Sequence, residues 1–84
     1  MNEKMMELFD APKALFSDLP KITMVGNHDV TAENCGGLLS CEDNVIRFCT
    51  GKGILKICGE DLVIRALADN MAVIGGTITG IQYE

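Results

Sequence analysis

The sequence predicts a mainly β protein, in which a short N-terminal helical segment precedes a small antiparallel β sandwich or roll of seven to eight short strands. At Lys21 the apolar spacing changes from near-helical to every second residue. After Lys21, turn-forming residues recur about every eight to ten positions. The 84 residues support one globular unit, with residues 1–20 as the helical segment and residues 21–84 as the β domain.

The N-terminal segment has an apolar pattern typical of helix. Its apolar positions are Met5, Met6, Leu8, Phe9, Leu15 and Phe16. Pro12 interrupts this pattern and Pro20 ends it, so we expect helix at about residues 3–9 and a helical turn at about residues 12–17, capped by Asp10. The methionine-rich start fits either core packing on the sheet, which we favour, or a partner-binding surface.

Eight strands follow from the alternation and from the turn residues between them. They are predicted at residues 22–25, 29–33, 37–41, 45–50, 54–58, 62–66, 71–74 and 77–83. The positions predicted to face inward are Ile22, Met24, Val30, Ala32, Ile46, Phe48, Leu55, Ile57, Leu62, Ile64, Ile81 and Tyr83. A β-solenoid is the second alternative, but no sustained register of equivalent residues supports it.

The opposite face of the strands differs along the chain. Arg47, Lys56 and Arg65 predict a solvated face, whereas Val63 and residues 71–74 are apolar on both sides. We therefore expect a second cover there, either the N-terminal helix or another subunit. The candidate partner or oligomer surface comprises Met71, Val73, Thr77, Thr79, Ile81 and Tyr83. Residues 77–83 contain no charge and no proline, so this strand is a candidate edge for pairing with its copy in a two-fold dimer.

Charge and composition disfavour several functional classes. The net charge is −5, from 12 acidic and 7 basic residues without a basic cluster, which disfavours nucleic acid as a partner. The longest apolar runs, of four or five residues, are too short for a membrane span, and no secretory signal is expected. A cytoplasmic location follows, where we expect the four cysteines, Cys35, Cys41, Cys49 and Cys58, to remain reduced thiols without an intrachain disulfide.

No residue pattern predicts catalysis or a bound metal. His28 lies in a turn without a partner for a catalytic arrangement, and Ser17 and Ser40 lack the context of a nucleophile. Residues 50–53 read TGKG, without the spacing of a phosphate-binding loop. The cysteines lack zinc-ligand spacing. The sequence therefore predicts a non-enzyme without catalytic residues, metal or cofactor.

Four stretches of the sequence carry a family resemblance. They are LPKITMVGN at positions 19–27, EN at 33–34, GEDLVI at 59–64 and GTITGIQYE at 76–84. Together they resemble the YabP/YqfC family of sporulation proteins, with its YqfC members most similar, over roughly residues 12–84. Residues 29–41 are richer in cysteine and glycine than is typical of the family. The family brings no established catalytic set that could be transferred.

The resemblance implies a role in endospore formation, in the mother cell of a sporulating Firmicute. It also implies pairing with a membrane-anchored sporulation protein of the YqfD type, which would recruit the chain to the forespore membrane. We expect a non-enzymatic structural or adaptor protein that acts by protein–protein interaction and forms a homo-oligomer. The alternative is a small-ligand or nucleic-acid-binding module on a compact β barrel, which would need a concave pocket with convergent polar groups.

Overall fold

The computed structural model describes residues 19–84, which form one antiparallel sheet of six strands and contain no helix. The strands are β1 (Lys21–Val25), β2 (Asp29–Glu33), β3 (Gly37–Cys41), β4 (Val45–Thr50), β5 (Gly53–Ala68) and β6 (Met71–Tyr83). Their order in the open sheet is β1-β2-β6-β5-β4-β3. The mainly β, antiparallel character is as predicted, whereas the predicted N-terminal helical segment lies almost wholly outside the described residues.

The structure has fewer and longer strands than the sequence predicts. The predicted strands at 54–58 and 62–66 are parts of β5, and those at 71–74 and 77–83 are parts of β6. The sequence predicts turns at residues 59–61 and 75–76, but these residues lie inside the long β5–β6 hairpin, where the register shifts at bulges. Asp61 and Gly76 there have φ of 54° and 125°. Residues with positive φ occur in bulges as well as in turns. The prediction of eight strands was wrong because these two bulges have the composition of turns.

The bulges divide the sheet into two half-sheets. The first half-sheet contains β1, β2, residues 71–75 of β6 and residues 63–68 of β5. The second half-sheet contains β3, β4, residues 53–58 of β5 and residues 77–83 of β6. Each half-sheet is thus a hairpin paired with one end of the β5–β6 hairpin.

Both half-sheets face one hydrophobic core, although β2 and β4 are separated in the sheet by two strands. The buried side chains are Val30, Ala32, Cys35, Ile46, Phe48, Leu55, Ile57, Leu62, Ala72, Ile74 and Ile78. Bulges bend strands, and the bend in β5 and β6 lets the two half-sheets share these residues. No polar or charged side chain is buried in residues 19–84.

The inward-facing residues predicted from alternation are largely confirmed. Seven of them are buried and Ile22, Ile64 and Ile81 are half-buried against the core, whereas Met24 and Tyr83 are exposed. The β-solenoid alternative is wrong, because every strand pair is antiparallel. In the part of the chain that the structure covers, no helix has the length and apolarity needed to cross a membrane.

The turns of the β1–β2 and β3–β4 hairpins each pack against a bulge of the β5–β6 hairpin. Asn27, between β1 and β2, accepts a backbone hydrogen bond of 2.7 Å from Ile78. In the second half-sheet, Asp43 and Asn44, between β3 and β4, accept backbone hydrogen bonds of 2.8 and 3.1 Å from Leu62 and Gly59. The two half-sheets therefore have the same connectivity, so their surfaces can be compared directly.

Candidate interaction surface

The outer face of the first half-sheet, opposite the core, carries an apolar surface. Cross-strand pairing arranges it in three rows, because residues in register on neighbouring antiparallel strands point to the same side. The rows are Val25, Asp29, Gly75 and Val63; then Thr23, Thr31, Val73 and Ala66; then Lys21, Glu33, Met71 and Ala68. We call Val25, Val63, Ala66, Ala68, Met71 and Val73 the apolar outer face.

Much of the apolar outer face is exposed to solvent. Val25 is 67% exposed, Val63 51% and Met71 40%, while Val73 is half-buried between its neighbours. Single exposed apolar side chains are ordinary on protein surfaces, whereas several on one face make it a candidate interaction site. Asp29 and Thr31 separate Val25 from the other members of this face. Charged side chains stand in the same rows as the exposed apolar residues: Asp29 lies between Val25 and Gly75, and Glu33 lies between Lys21 and Met71.

Arg65 lies across one end of this surface. Its guanidinium covers the backbone of Gly75, because a methyl group added at Gly75 would collide with Nε, Cζ and Nη2 of Arg65. Nη1 of Arg65 lies 3.7 Å from Oδ1 of Asp29, and both side chains are largely exposed. Arg65 occupies the extra position of the bulge between Ile64 and Ala66, which releases its side chain from the rows. The pair therefore places polar groups between Val25 and Val63 at that end of the apolar outer face.

The outer face of the second half-sheet differs in its middle row, whereas its flanking rows, Gly37-Cys49-Ile54 and Val45-Cys58-Gly80, also carry no charge. Its middle row is Ser40, Arg47, Lys56 and Gln82. Nε of Arg47 donates a hydrogen bond of 2.9 Å to Oε1 of Glu84, which forms an ion pair across this face. The corresponding middle row of the first half-sheet carries no charge, so the two halves differ where their connectivity is the same.

The second candidate feature is an open strand edge in β6. Residues 71–75 of β6 have β2 on one side and β5 on the other, but residues 77–83 pair only with β5. Asn27 accepts the N–H of Ile78, so the stretch without a neighbour on its second side is residues 79–83, which we call the β6 edge. Thr79, Gln82 and Tyr83 are exposed there.

The structure places five of the six predicted surface residues on these two features. Met71 and Val73 belong to the apolar outer face, and Thr79, Ile81 and Tyr83 belong to the β6 edge. Thr77 lies half-buried beside the bulge between them. Val25 and Arg65 were not among the predicted surface residues, because their place beside Val63 and Gly75 depends on cross-strand register that the sequence alone does not supply.

Of the residues considered for catalysis or phosphate binding, His28, Ser40 and Lys52 lie in separate parts of the described chain, and Ser17 lies outside it. His28 lies in the exposed turn before β2, and Lys52 in the exposed turn before β5, where Thr50 Oγ1 accepts a hydrogen bond of 3.0 Å from the Lys52 N–H. All four cysteines are free thiols: Cys35 is buried, Cys58 half-buried, and Cys41 and Cys49 exposed. Within residues 19–84 no group of three or more His, Cys, Asp or Glu side chains could hold a metal ion.

Comparison with known proteins adds a family to this geometry. The family model described as YabP family matches residues 18–84, which include all six strands. The chain is also similar to the Bacillus subtilis (strain 168) protein named "Uncharacterized protein YqfC", with 35% identity over 74 residues. That similarity covers 88% of this chain and 80% of the relative. Both half-sheets, and with them the apolar outer face and the β6 edge, lie within the matched residues.

Proposed function

This chain belongs to the YabP family, and on that premise we propose that it is a non-enzymatic structural or adaptor protein of endospore formation. It acts by binding other proteins, among them further copies of itself. The sporulation role rests on the family alone. The mode of action rests on the apolar outer face, a feature of the described residues.

The observation that carries the proposed mode of action is the contrast between the two half-sheets. A half-sheet of this connectivity can have charged residues in the middle of its outer face, as Arg47 and Lys56 demonstrate. The exposed apolar residues of the first half-sheet are therefore not a requirement of the fold. Covering them with a partner removes apolar area from water, which stabilises a complex by about 25 cal/mol per Å² before the costs of association.

We assign the apolar outer face to a membrane-anchored sporulation partner of the YqfD type, which the family resemblance suggests. The chain would then work in the mother cell and be held at the forespore membrane by that partner. The charges of Lys21, Asp29, Glu33 and Arg65 beside the apolar residues would orient the partner, since charged groups in an interface favour specificity over affinity.

The test is a comparison of two matched substitutions in a sporulating strain that carries each variant in place of its own gene. Val63→Lys places a charge on the apolar outer face, and Leu39→Lys makes the same change in β3 at similar exposure, 51% against 53%. We expect Val63→Lys to lower the titre of heat-resistant spores toward that of a strain without the gene. Leu39→Lys should leave the titre at the wild-type level.

Protein abundance, measured by immunoblot, separates a lost interaction from a lost protein. Equal titres for the two variants at equal abundance would contradict the assignment of the apolar outer face. Wild-type titres in a strain that lacks the gene and its close relatives would contradict the sporulation role itself.

A further inference from the structure

The described sheet has four strand edges without a neighbouring strand. β1 and β3 are the ends of the sheet order, residues 63–68 of β5 form the outer edge of the first half-sheet, and the β6 edge is its counterpart in the second. An open edge exposes backbone N–H and C=O groups that another chain can extend. Proteins block such edges with charges, proline or bulges.

Three of these four edges carry a blocking device. β1 begins with Lys21 directly after Pro20, and β3 has a bulge between Leu38 and Ser40. The β5 edge carries Arg65 and the bulge between Ile64 and Ala66. The β6 edge has neither charge nor proline; Thr79, at its start, is a bulge residue, and from Gly80 to Tyr83 the register with β5 is unbroken.

The hydrogen bonds of β6 identify which backbone groups are available. The N–H of Glu84 donates to the C=O of Ile54 at 2.8 Å, so Glu84 directs its backbone toward β5. Residues of an antiparallel strand alternate in the side to which their N–H and C=O point. Ile81 and Tyr83 therefore direct these groups away from β5, toward the open side.

We propose that the β6 edge pairs antiparallel with the β6 edge of a second copy, about a two-fold axis at Ile81. Ile81 then faces its own counterpart and the two exchange a pair of backbone hydrogen bonds, while Thr79 faces Tyr83 of the other copy. No like charges oppose one another, because residues 79–83 are uncharged. Pairing also covers Tyr83, which is 49% exposed. The second half-sheets of the two copies become one continuous sheet.

This inference deepens the self-association in the proposed function and assigns it a surface separate from the apolar outer face. A dimer of this kind leaves both apolar outer faces free. It would present two partner-binding faces at a fixed spacing, which raises the avidity for an anchored partner.

Amide hydrogen exchange of the wild-type chain, resolved by residue and measured at several protein concentrations, tests the pairing without a substitution. We expect protection of the Ile81 N–H to rise with concentration, in step with the dimer fraction from light scattering. The neighbouring Gln82 N–H, which points to β5, is the internal control and should be protected throughout. Protection at Ile81 that does not depend on concentration would mean that another part of the same chain covers the edge, and it would overturn the proposal.

Charge substitutions at the axis provide a second, independent test. Ile81→Lys and Ile81→Glu each place like charges opposite one another, and we expect each to weaken the dimer by more than about tenfold. Mixing Ile81→Lys with Ile81→Glu copies should restore association, because opposite charges then meet. Leu67→Lys, on the blocked β5 edge, is the control and should leave the dimer unchanged.

Three outcomes would overturn the dimer: a wild-type chain that remains monomeric up to about 1 mM, Ile81 variants that dimerise normally, or folded single variants whose mixture does not associate. A monomeric chain that still binds its partner in a manner sensitive to Val63→Lys would leave the adaptor function intact. The two proposals can therefore fail separately.

Discussion

The two half-sheets have one connectivity and two different outer faces. Each consists of a hairpin paired with one end of the β5–β6 hairpin, and each places its turn against a bulge of that hairpin. In the second half-sheet, Arg47 and Lys56 occupy the middle of the outer face, while in the first half-sheet Val73 and Ala66 do.

This difference separates the faces that the fold requires to be apolar from those that it leaves free to vary. Both inner faces are apolar because both contribute to the single core. The outer faces differ in their middle rows, and the proposed function assigns the exposed apolar residues of the first half-sheet to binding. The strand edges also differ between the two half-sheets. The β5 edge is blocked by Arg65 and a bulge, whereas the β6 edge is open.

The largest expected effect is the loss of a core side chain from either half. Phe48→Ala in the second half-sheet and Ile74→Ala in the first should lower the free energy of unfolding by about 3–5 and 2–5 kcal/mol, since both side chains are fully buried. Because the core is shared, chemical denaturation should remain one cooperative transition in both variants. Separate transitions would mean that the half-sheets fold independently, which would break the comparison.

The next effect concerns the bulge that joins the halves. Gly76 has φ of 125°, and an added methyl group would lie 2.6 Å from the carbonyl oxygen of Asp61. Gly76→Ala should therefore lower the free energy of unfolding by about 1–3 kcal/mol. Gly26→Ala is the control for strain without crowding, since Gly26 also has positive φ but its methyl group would meet nothing within 4 Å. Equal losses for the two, measured by urea titration, would contradict the packing of Gly76 against Asp61.

A smaller effect is expected at Cys35, in the loop that connects β2 to β3. Burial raises the pKa of this thiol, and a backbone hydrogen bond offsets part of the rise. A raised pKa favours the neutral thiol in the folded state. The resulting contribution to the free energy of unfolding is present below the ordinary thiol pKa and is lost as the pH rises through the pKa of the folded state. Cys35→Ala should lower the free energy of unfolding by about 1 kcal/mol.

Alkylation provides the direct check on the four thiols. In the folded protein Cys41 and Cys49, which are exposed, should react first, Cys58 more slowly, and Cys35 only after unfolding. Peptide mapping identifies the order. Four thiols should titrate in unfolded material that has never met a reducing agent, and a count of two or fewer would contradict the prediction that no intrachain disulfide forms.

The smallest effect is expected from the ion pair of the second outer face. Arg47 and Glu84 are about one-third exposed, at 32% and 36%, so their pairing is screened by solvent. Arg47→Ala should change the free energy of unfolding by less than about 1 kcal/mol, and the difference should shrink in high salt. A larger and salt-independent loss would mean that this face is not an ordinary solvated surface.

The sequence predicted the short strands well and the long ones poorly. The bounds of β2, β3 and β4 agree with the prediction, because clear turn residues separate them. The residues GED at 59–61 and GG at 75–76 have the same composition as turns but form bulges within β5 and β6. Sequence alone cannot distinguish these two uses of positive φ, since the choice depends on long-range pairing of β5 with β6.

The candidate surface shows the same division. The apolar character of residues 71–74 on both sides of the strand was evident from alternation, and so was the lack of charge in residues 77–83. The division of residues 71–83 into an outer face and an edge could not be predicted, because it depends on where β2 stops pairing with β6. Arg65 at the boundary depends on a bulge and was seen only as a residue of a solvated face.

Binding of the purified chain to the cytoplasmic part of a YqfD-type partner tests the central claim most directly. Isothermal titration would compare the wild type with Val63→Lys and with Leu39→Lys, which alter equally exposed residues in the two half-sheets. We predict that Val63→Lys raises the Kd by at least about tenfold and that Leu39→Lys leaves it unchanged. Equal affinities for all three proteins, or no binding by the wild type, would contradict the assignment of the apolar outer face to this partner.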